Sequence, residues 1–423
     1  MKMLPANTPA EHVILPPPQT WQATGLRLGL LKELALKILL ERGELPLRDL
    51  CFAMRLSRRM VEEIFQSLRA EQLVEVTGMK VVDYQCTLSD RGRARAFELS
   101  ALNLYAGPAP VTLAEYTARV KEQSVRGALV APEALKKAFA RMVVPEDVIE
   151  RIGTAVVSGT SIFLHGPTGS GKTSLAEAIP DIYADSVWIP HALEVDNQII
   201  TIFDPALHRP TAQPEPDVSD SRWVRCLRPR VLAGGELTAE MLELQINPVT
   251  RFYAAPLQLK ANSGVLVIDD LGRQRVRPET LLNRWIVPLD RRTDLLTLVG
   301  GKIFEVPFDM FVVFSTNLDP SHLADEAFLR RIPNKIKIGD VTREQFHEIA
   351  RRVAEASGVA YDAGVIDRLI QIISVDLKQP LRACHPSDIV AQICWAAKYA
   401  GKQPELTKAA VELACRNYFV AAE

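Results

Sequence analysis

The chain has 423 residues, 48% of them hydrophobic and 24% charged, which is ordinary globular material with room for two or three domains. Its 50 basic and 51 acidic side chains leave a formal charge of −1, which excludes an overall electrostatic pull towards nucleic acid or an anionic surface. No apolar run is long enough to span a bilayer and no leader-like segment opens the chain. Cys51, Cys86, Cys226, Cys384, Cys394 and Cys415 lack C-x-x-C spacing, so a reducing cytoplasmic setting is expected, without a disulfide framework or a zinc site.

Residues 1–25 are Pro-rich and aperiodic, and read as a flexible or extended arm. Leu26 to Arg42 repeats Leu30, Leu31, Leu34, Ile38 and Leu39 on one helical face, and Gly43 ends it. A second helix is expected from Leu47 to Arg55, and a third from Arg58 to Gln72 after the Leu56-Ser57 turn. A β-hairpin follows, Leu73–Val76 and Lys80–Leu88 turning at Gly78, and then a helix from Arg91 to Leu99. This order over residues 26–100 resembles a winged helix-turn-helix domain. Arg58 and Arg59 stand at the start of the third helix, where such domains meet DNA bases, and Lys80 stands at the wing. Glu62 and Glu63 follow at once, and the first 100 residues hold 14 Lys/Arg against 12 Asp/Glu. DNA contact and protein docking are therefore both open readings for this domain.

Residues 101–145 read as a linker with a stiff turn at Tyr105 to Pro110 and a short helix from Val111 to Glu122. Helices at Leu135–Val143 and Val148–Val157 lead into the apolar, strand-like stretch Ser161–Leu164. The next residues are Gly166, Pro167, Thr168, Gly169, Ser170, Gly171, Lys172, Thr173 and Ser174, and a helix is expected from Ser174 to Ile179. Gly166, Gly171, Lys172 and Thr173 fit G-x-x-x-x-G-K-[ST], the phosphate-binding loop. Glycines let backbone N–H groups close around a triphosphate, and the helix N-terminus favours its charge. Lys172 then reaches the β- and γ-phosphates, and Thr173 offers its hydroxyl to Mg²⁺.

A second segment, Gly264 to Gly272, places four apolar residues before Asp269 and Asp270. In this Walker B pattern Asp269 holds Mg²⁺ beside Thr173, and Asp270 polarises the attacking water. A third apolar strand, Phe311–Phe314, ends in Ser315-Thr316-Asn317. Lying between the other two, it would bring a polar side chain to the γ-phosphate and the water.

Phosphate loop, acidic strand, the Thr316-Asn317 pair and Ala327-Phe-Leu-Arg-Arg-Ile332 together resemble an AAA+ ATPase. The resemblance covers residues 130–423, about two thirds of the chain. It implies an α/β P-loop NTPase core over 146–340 and a helical lid over 341–423. It makes Asn317 the sensor-1 residue and Arg330 or Arg331 an arginine finger completing a neighbour's site. Arg382, in Gln379-Pro-Leu-Arg382, becomes the sensor-2 candidate. Most relatives carry Glu where Asp270 stands, which bears on the hydrolysis rate rather than on ATP binding. Pro256 to Asp270, the following Leu281–Arg292 helix and a hairpin from Leu295 to Val306 are similar to the pre-sensor-1 hairpin branch, MoxR-like ATPases above all. The implied activity is Mg-dependent ATP hydrolysis by an oligomer, usually a hexameric ring, that remodels a protein partner. A DNA-acting regulator or loader is the alternative. The long segment from Trp188 to Arg251 starts β-rich at Val195–Phe203, breaks at the Pro-rich Pro210–Pro216, and continues through Trp223–Leu232 and Gly234-Gly235 to a short helix at Thr238–Leu244. Arg251-Phe252-Tyr253 could present aromatics to a central pore. The lid reads as helices at Arg343–Ser357, Ala363–Val375, Ser387–Ala400 and Thr407–Tyr418.

Overall fold

The computed structural model describes residues 15–80, 83–128, 130–212, 219–323 and 326–419. Its centre is a five-stranded, all-parallel sheet: β1 (Ile162–His165), β2 (Arg230–Ala233), β3 (Val265–Ile268), β4 (Phe311–Thr316) and β5 (Asn334–Lys337), in the spatial order β2-β3-β4-β1-β5. Every residue of β3 and β4 is buried, as a parallel sheet covered on both faces requires. Alternate side chains supply the two faces. Leu266, Ile268, Val312 and Phe314 pack with Trp285 and Phe328 on one side. Val265, Val267, Phe311 and Val313 pack with Leu175, Ala176 and Ile152 on the other. The register Ile268↔Phe314 and Thr316↔His165 brings the carboxyl ends of β3, β4 and β1 to one edge. β4 lies between β1 and β3, so residues after Thr316 emerge between the glycine-rich loop after β1 and the two aspartates after β3.

The N-terminal unit has helices Leu28–Arg42, Leu47–Met54, Arg58–Ala70 and Asp90–Leu102 around one core, and a three-stranded antiparallel sheet of Leu45–Pro46, Val74–Lys80 and Asp83–Leu88. The hairpin does not turn at Gly78. That glycine lies inside its strand, where the register shifts between Val76 and Gly78, so a bulge accommodates it and the strand continues to Lys80. Residues 81–82 and the Lys80 side chain lie outside the described residues. Residues 1–14 of the expected arm also lie outside them, but the rest of it is packed. Leu15 is buried and its carbonyl accepts from the Asp220 N–H, and Trp21 covers the N-terminal core.

Between this unit and the central sheet lies a second, mixed sheet. It orders Gln245–Ile246, Tyr253–Ala254, Gln198–Thr201, Ala192–Val195 and Val111–Thr112. The expected Val111–Glu122 helix therefore begins as a strand and becomes helical only at Leu113. Strand Ser186–Pro190 pairs with Trp223–Leu227 beside it. Arg222, fully buried, is held by Asp220 and Glu115. The expected pore aromatics are consumed by packing. Tyr253 is buried with its hydroxyl accepting from Val299 N–H, Phe252 meets the Tyr105 ring edge-on at 5.5 Å, and Arg251 donates to the Ala101 carbonyl. They join the N-terminal unit to the middle sheet.

The hairpin Thr293–Thr297/Ile303–Pro307 stands where expected, just before β4. The C-terminal helices are Arg343–Ala356, Ala363–Gln371 continuing through a π turn at Ile372–Asp376, Cys384–Tyr399 and Lys408–Tyr418.

Candidate nucleotide site

The loop after β1 owes its shape to three left-handed or extended glycines. Gly166 has φ 146°, Gly169 78° and Gly171 92°. At Gly166 a Cβ would lie 2.0 Å from the Ile338 carbonyl oxygen, and at Gly169 one would lie 2.4 Å from Cys384 Sγ. A side chain at 166 would strike backbone, and one at 169 would strike the Cys384 side chain. Gly171 caps the helix Lys172–Ala178, which starts two residues earlier than expected and aims its N-terminus at the loop. Lys172 is nearly buried, and its Nζ donates to the Pro167 carbonyl at 2.8 Å and to Ser170 Oγ at 3.5 Å. Burial lowers the Lys172 pKa. The Asp270 and Asp269 carboxylates oppose that shift, and the Arg382 guanidinium adds to it. The 166–174 loop, the acidic pair and Arg382 thus share one electrostatic neighbourhood.

The strand order brings the remaining groups in. The Asp269 N–H is anchored on the Ala233 carbonyl, and its Oδ1 is buried without a partner. Thr316 is structural: its hydroxyl donates to the Leu271 carbonyl at 2.7 Å and ties the turn after β3 to β4. Asn317 Nδ2 donates to Thr168 Oγ1 at 3.2 Å, and its Oδ1 too is a buried acceptor without a partner. Leaving a buried polar atom unsatisfied costs about 1–3 kcal/mol. Two such acceptors at one edge fit a bound ion and its water. Thr173, exposed in the cleft, adds a hydroxyl. These residues suit Mg²⁺ held together with phosphate oxygens.

The cleft measures about 700 Å³. Residues 168–175, Asp270 and Asn317 line its polar end. Met142, Val143, Val144, Val148, Ile338 and Val353 are among the residues lining the apolar remainder, which has the character of a base pocket. The helix expected over Leu135–Val143 runs instead from Pro132 to Ala138, freeing Arg141–Pro145 to form that wall. The C-terminal helical region touches the cleft at two places. The Cys384 N–H donates to the Gly169 carbonyl at 3.1 Å, and Arg352 donates to the carbonyls of Ala140 and Met142 at 2.8 and 3.1 Å. Arg382 lies beside Gly169 with its Nε buried and unpaired. Its N–H donates to His385 Nδ1 while the His385 N–H returns to its carbonyl. Burial lowers the His385 pKa to about 4, so the ring is a neutral acceptor.

Arg330 and Arg331 are not brought to this cleft. Arg331 pairs with Asp290 at 2.9 Å. Arg330 is 76% exposed and, among the described residues, pairs with Glu326, four residues back. The Arg352 and Cys384 contacts were not foreseen from the sequence, because backbone carbonyls leave no mark in it.

Residues 342–417, which hold the four C-terminal helices, match a family model described as "Domain of unknown function (DUF8689)". No curated protein matches the chain. Among solved structures, it is similar to NtrX from Brucella abortus in complex with ADP, with 16% identity and a TM-score of 0.40 over 65% of this chain and 56% of that one. It is also similar to a Thermotoga maritima RuvB P216G mutant, with 12% identity and a TM-score of 0.36 over 68% and 71%. The chain thus spans little more than half the length of NtrX. No helix among the described residues is long and apolar enough to cross a membrane.

Proposed function

We propose that the chain is an AAA+ ATPase that binds Mg·ATP in this cleft and hydrolyses it to ADP and phosphate. The convergence of the 166–174 loop, Asp269, Asp270 and Asn317 at the carboxyl edge of β1, β4 and β3 carries the reading. The loop N–H groups and Lys172 bind the phosphates. Thr173 and Asp269 would hold Mg²⁺, which neutralises charge on the β- and γ-oxygens when bound. Asp270 accepts a hydrogen bond from the attacking water, and Asn317 orients that water from between the two elements. Arg382 reports the γ-phosphate to the lid.

Arg330 is the better finger of the two. Arg331 is committed to Asp290, whereas Arg330 is largely exposed and, among the described residues, is held by a short-range pair with Glu326, which leaves it able to reach a neighbouring copy. This supports a ring, a hexamer by family habit, of the MoxR-like branch with its hairpin before β4. The N-terminal unit, read as a winged helix, recruits a protein for remodelling. Arg58 is bridged to Glu62 and Asp83, and Arg59 to Glu63, which favours protein docking over a DNA-reading helix.

Phosphate release from Mg·ATP tests the reading. Turnover is expected from the natural chain and none from Lys172→Ala. Mixing Lys172→Ala with Arg330→Ala should restore part of it. A natural chain that neither binds nor hydrolyses ATP ends the proposal.

A further inference from the structure

Asp270 sits at φ +50°, a left-handed conformation that non-glycine residues adopt at some cost, and Gly272 follows at φ +105°. Something must hold this turn. Part of the answer is β4, since the Leu271 N–H donates to the Ser315 carbonyl and its carbonyl accepts from Thr316. The rest comes from one side chain. Gln274 Nε2 donates to the Asp269 carbonyl at 2.5 Å, and Gln274 Oε1 accepts from the Gly272 N–H at 2.9 Å. Its amide therefore bridges both ends of the turn that carries Asp270, and the Arg273 N–H to Asp270 carbonyl bond closes the loop inside that bridge. The chain on either side is anchored. Leu271 is fully buried, and the Val276 N–H is pinned to the Leu237 carbonyl.

We infer that Gln274 is a positioning residue for hydrolysis: its amide clasps the turn from Asp269 to Gly272 and so fixes where the Asp270 carboxylate meets the attacking water. The inference rests on the ATPase reading above. Gln274 does not line the cleft, so its loss should change the chemical step and not the binding of nucleotide. A side chain shorter by one methylene cannot span both partners. Glutamate keeps the acceptor for Gly272 but loses the donor to Asp269.

The test is a double-mutant cycle on Mg·ATP turnover, with ATP affinity measured in parallel. Gln274→Ala and Gln274→Asn should lower kcat about tenfold, while the ATP dissociation constant stays within twofold. Gln274→Glu should fall between them and the natural chain. In the Asp270→Asn background, Gln274→Ala should cost nothing further, since the group it positions is already inactive. Equal losses in both backgrounds, or a loss of ATP affinity matching the loss of kcat, would overturn the positioning role while leaving the ATPase reading intact. A natural chain that binds ATP without turning it over would overturn both.

Discussion

The seat of the lid on the phosphate loop makes the sharpest prediction, a contrast between two glycines. Gly169 and Gly171 both have left-handed φ, 78° and 92°, so alanine at either costs about 1–2 kcal/mol in backbone strain. They differ in space. A Cβ at 171 meets nothing within 4 Å, while one at 169 lies 2.4 Å from Cys384 Sγ. Relieving that clash needs the Cys384 side chain to turn, or the loop and the C-terminal helices to part by about 1 Å, an overpacking cost of about 1–3 kcal/mol. Gly169→Ala should therefore destabilise the nucleotide-free protein by about 2–5 kcal/mol, and Gly171→Ala by about 1–2. Removing the sulfur in Gly169→Ala/Cys384→Ala should recover the difference, because the next contact, Cys384 Cβ, lies at 3.4 Å. Urea unfolding monitored by circular dichroism reads all three. Equal losses for the two glycines with no recovery in the double variant would mean that the lid does not rest on the loop.

Asn317→Ala should lower kcat by about 100-fold, as does removal of one transition-state hydrogen-bond donor, with ATP affinity nearly unchanged; steady-state phosphate release with parallel titration checks both. Asp269→Asn should abolish the Mg²⁺ dependence of ATP affinity, measured with and without chelator. His385 is buried and His191 half-buried, and desolvation pulls both down to about 4, so the unfolded chain binds more protons between pH 6.5 and 4. Stability should therefore be lost as pH falls through that window. His385→Gln should flatten part of the loss, read from unfolding midpoints across pH. Arg222→Met, which strands Asp220 inside the middle sheet, should destabilise the fold by about 3–5 kcal/mol, seen in the same unfolding assay.

The parts of the site legible in the sequence are those set by short-range spacing. The glycines, Lys172 and Thr173 fall within one turn of chain, and Asp269, Asp270 and Asn317 each end an apolar run that could only be a buried strand. The C-terminal helices were legible from their helical periodicity, and the hairpin before β4 from the Gly300-Gly301 turn between two short strands. The middle sheet was not. Val111–Thr112 is two residues long and pairs with a strand some eighty residues further on, leaving no local pattern. Gly78 looked like a turn because a bulge asks for the same residue. Phe252 and Tyr253 gave no sign of whether they faced a pore or a domain seam; burial alone decides it. Gln274 carried no signal, since its partners are backbone groups.

The central claim is that β4, lying between β1 and β3, brings an anion-binding loop and a metal-binding carboxylate to the same triphosphate. A crystal structure of the chain with Mg²⁺ and a non-hydrolysable ATP analogue tests it most directly. It should show the β- and γ-phosphates on the 166–174 loop, the metal between Thr173 and Asp269, and Asn317 and Asp270 flanking the γ-phosphate. Nucleotide bound elsewhere, or phosphates in the loop with Asp269 turned away from the metal, would contradict the account.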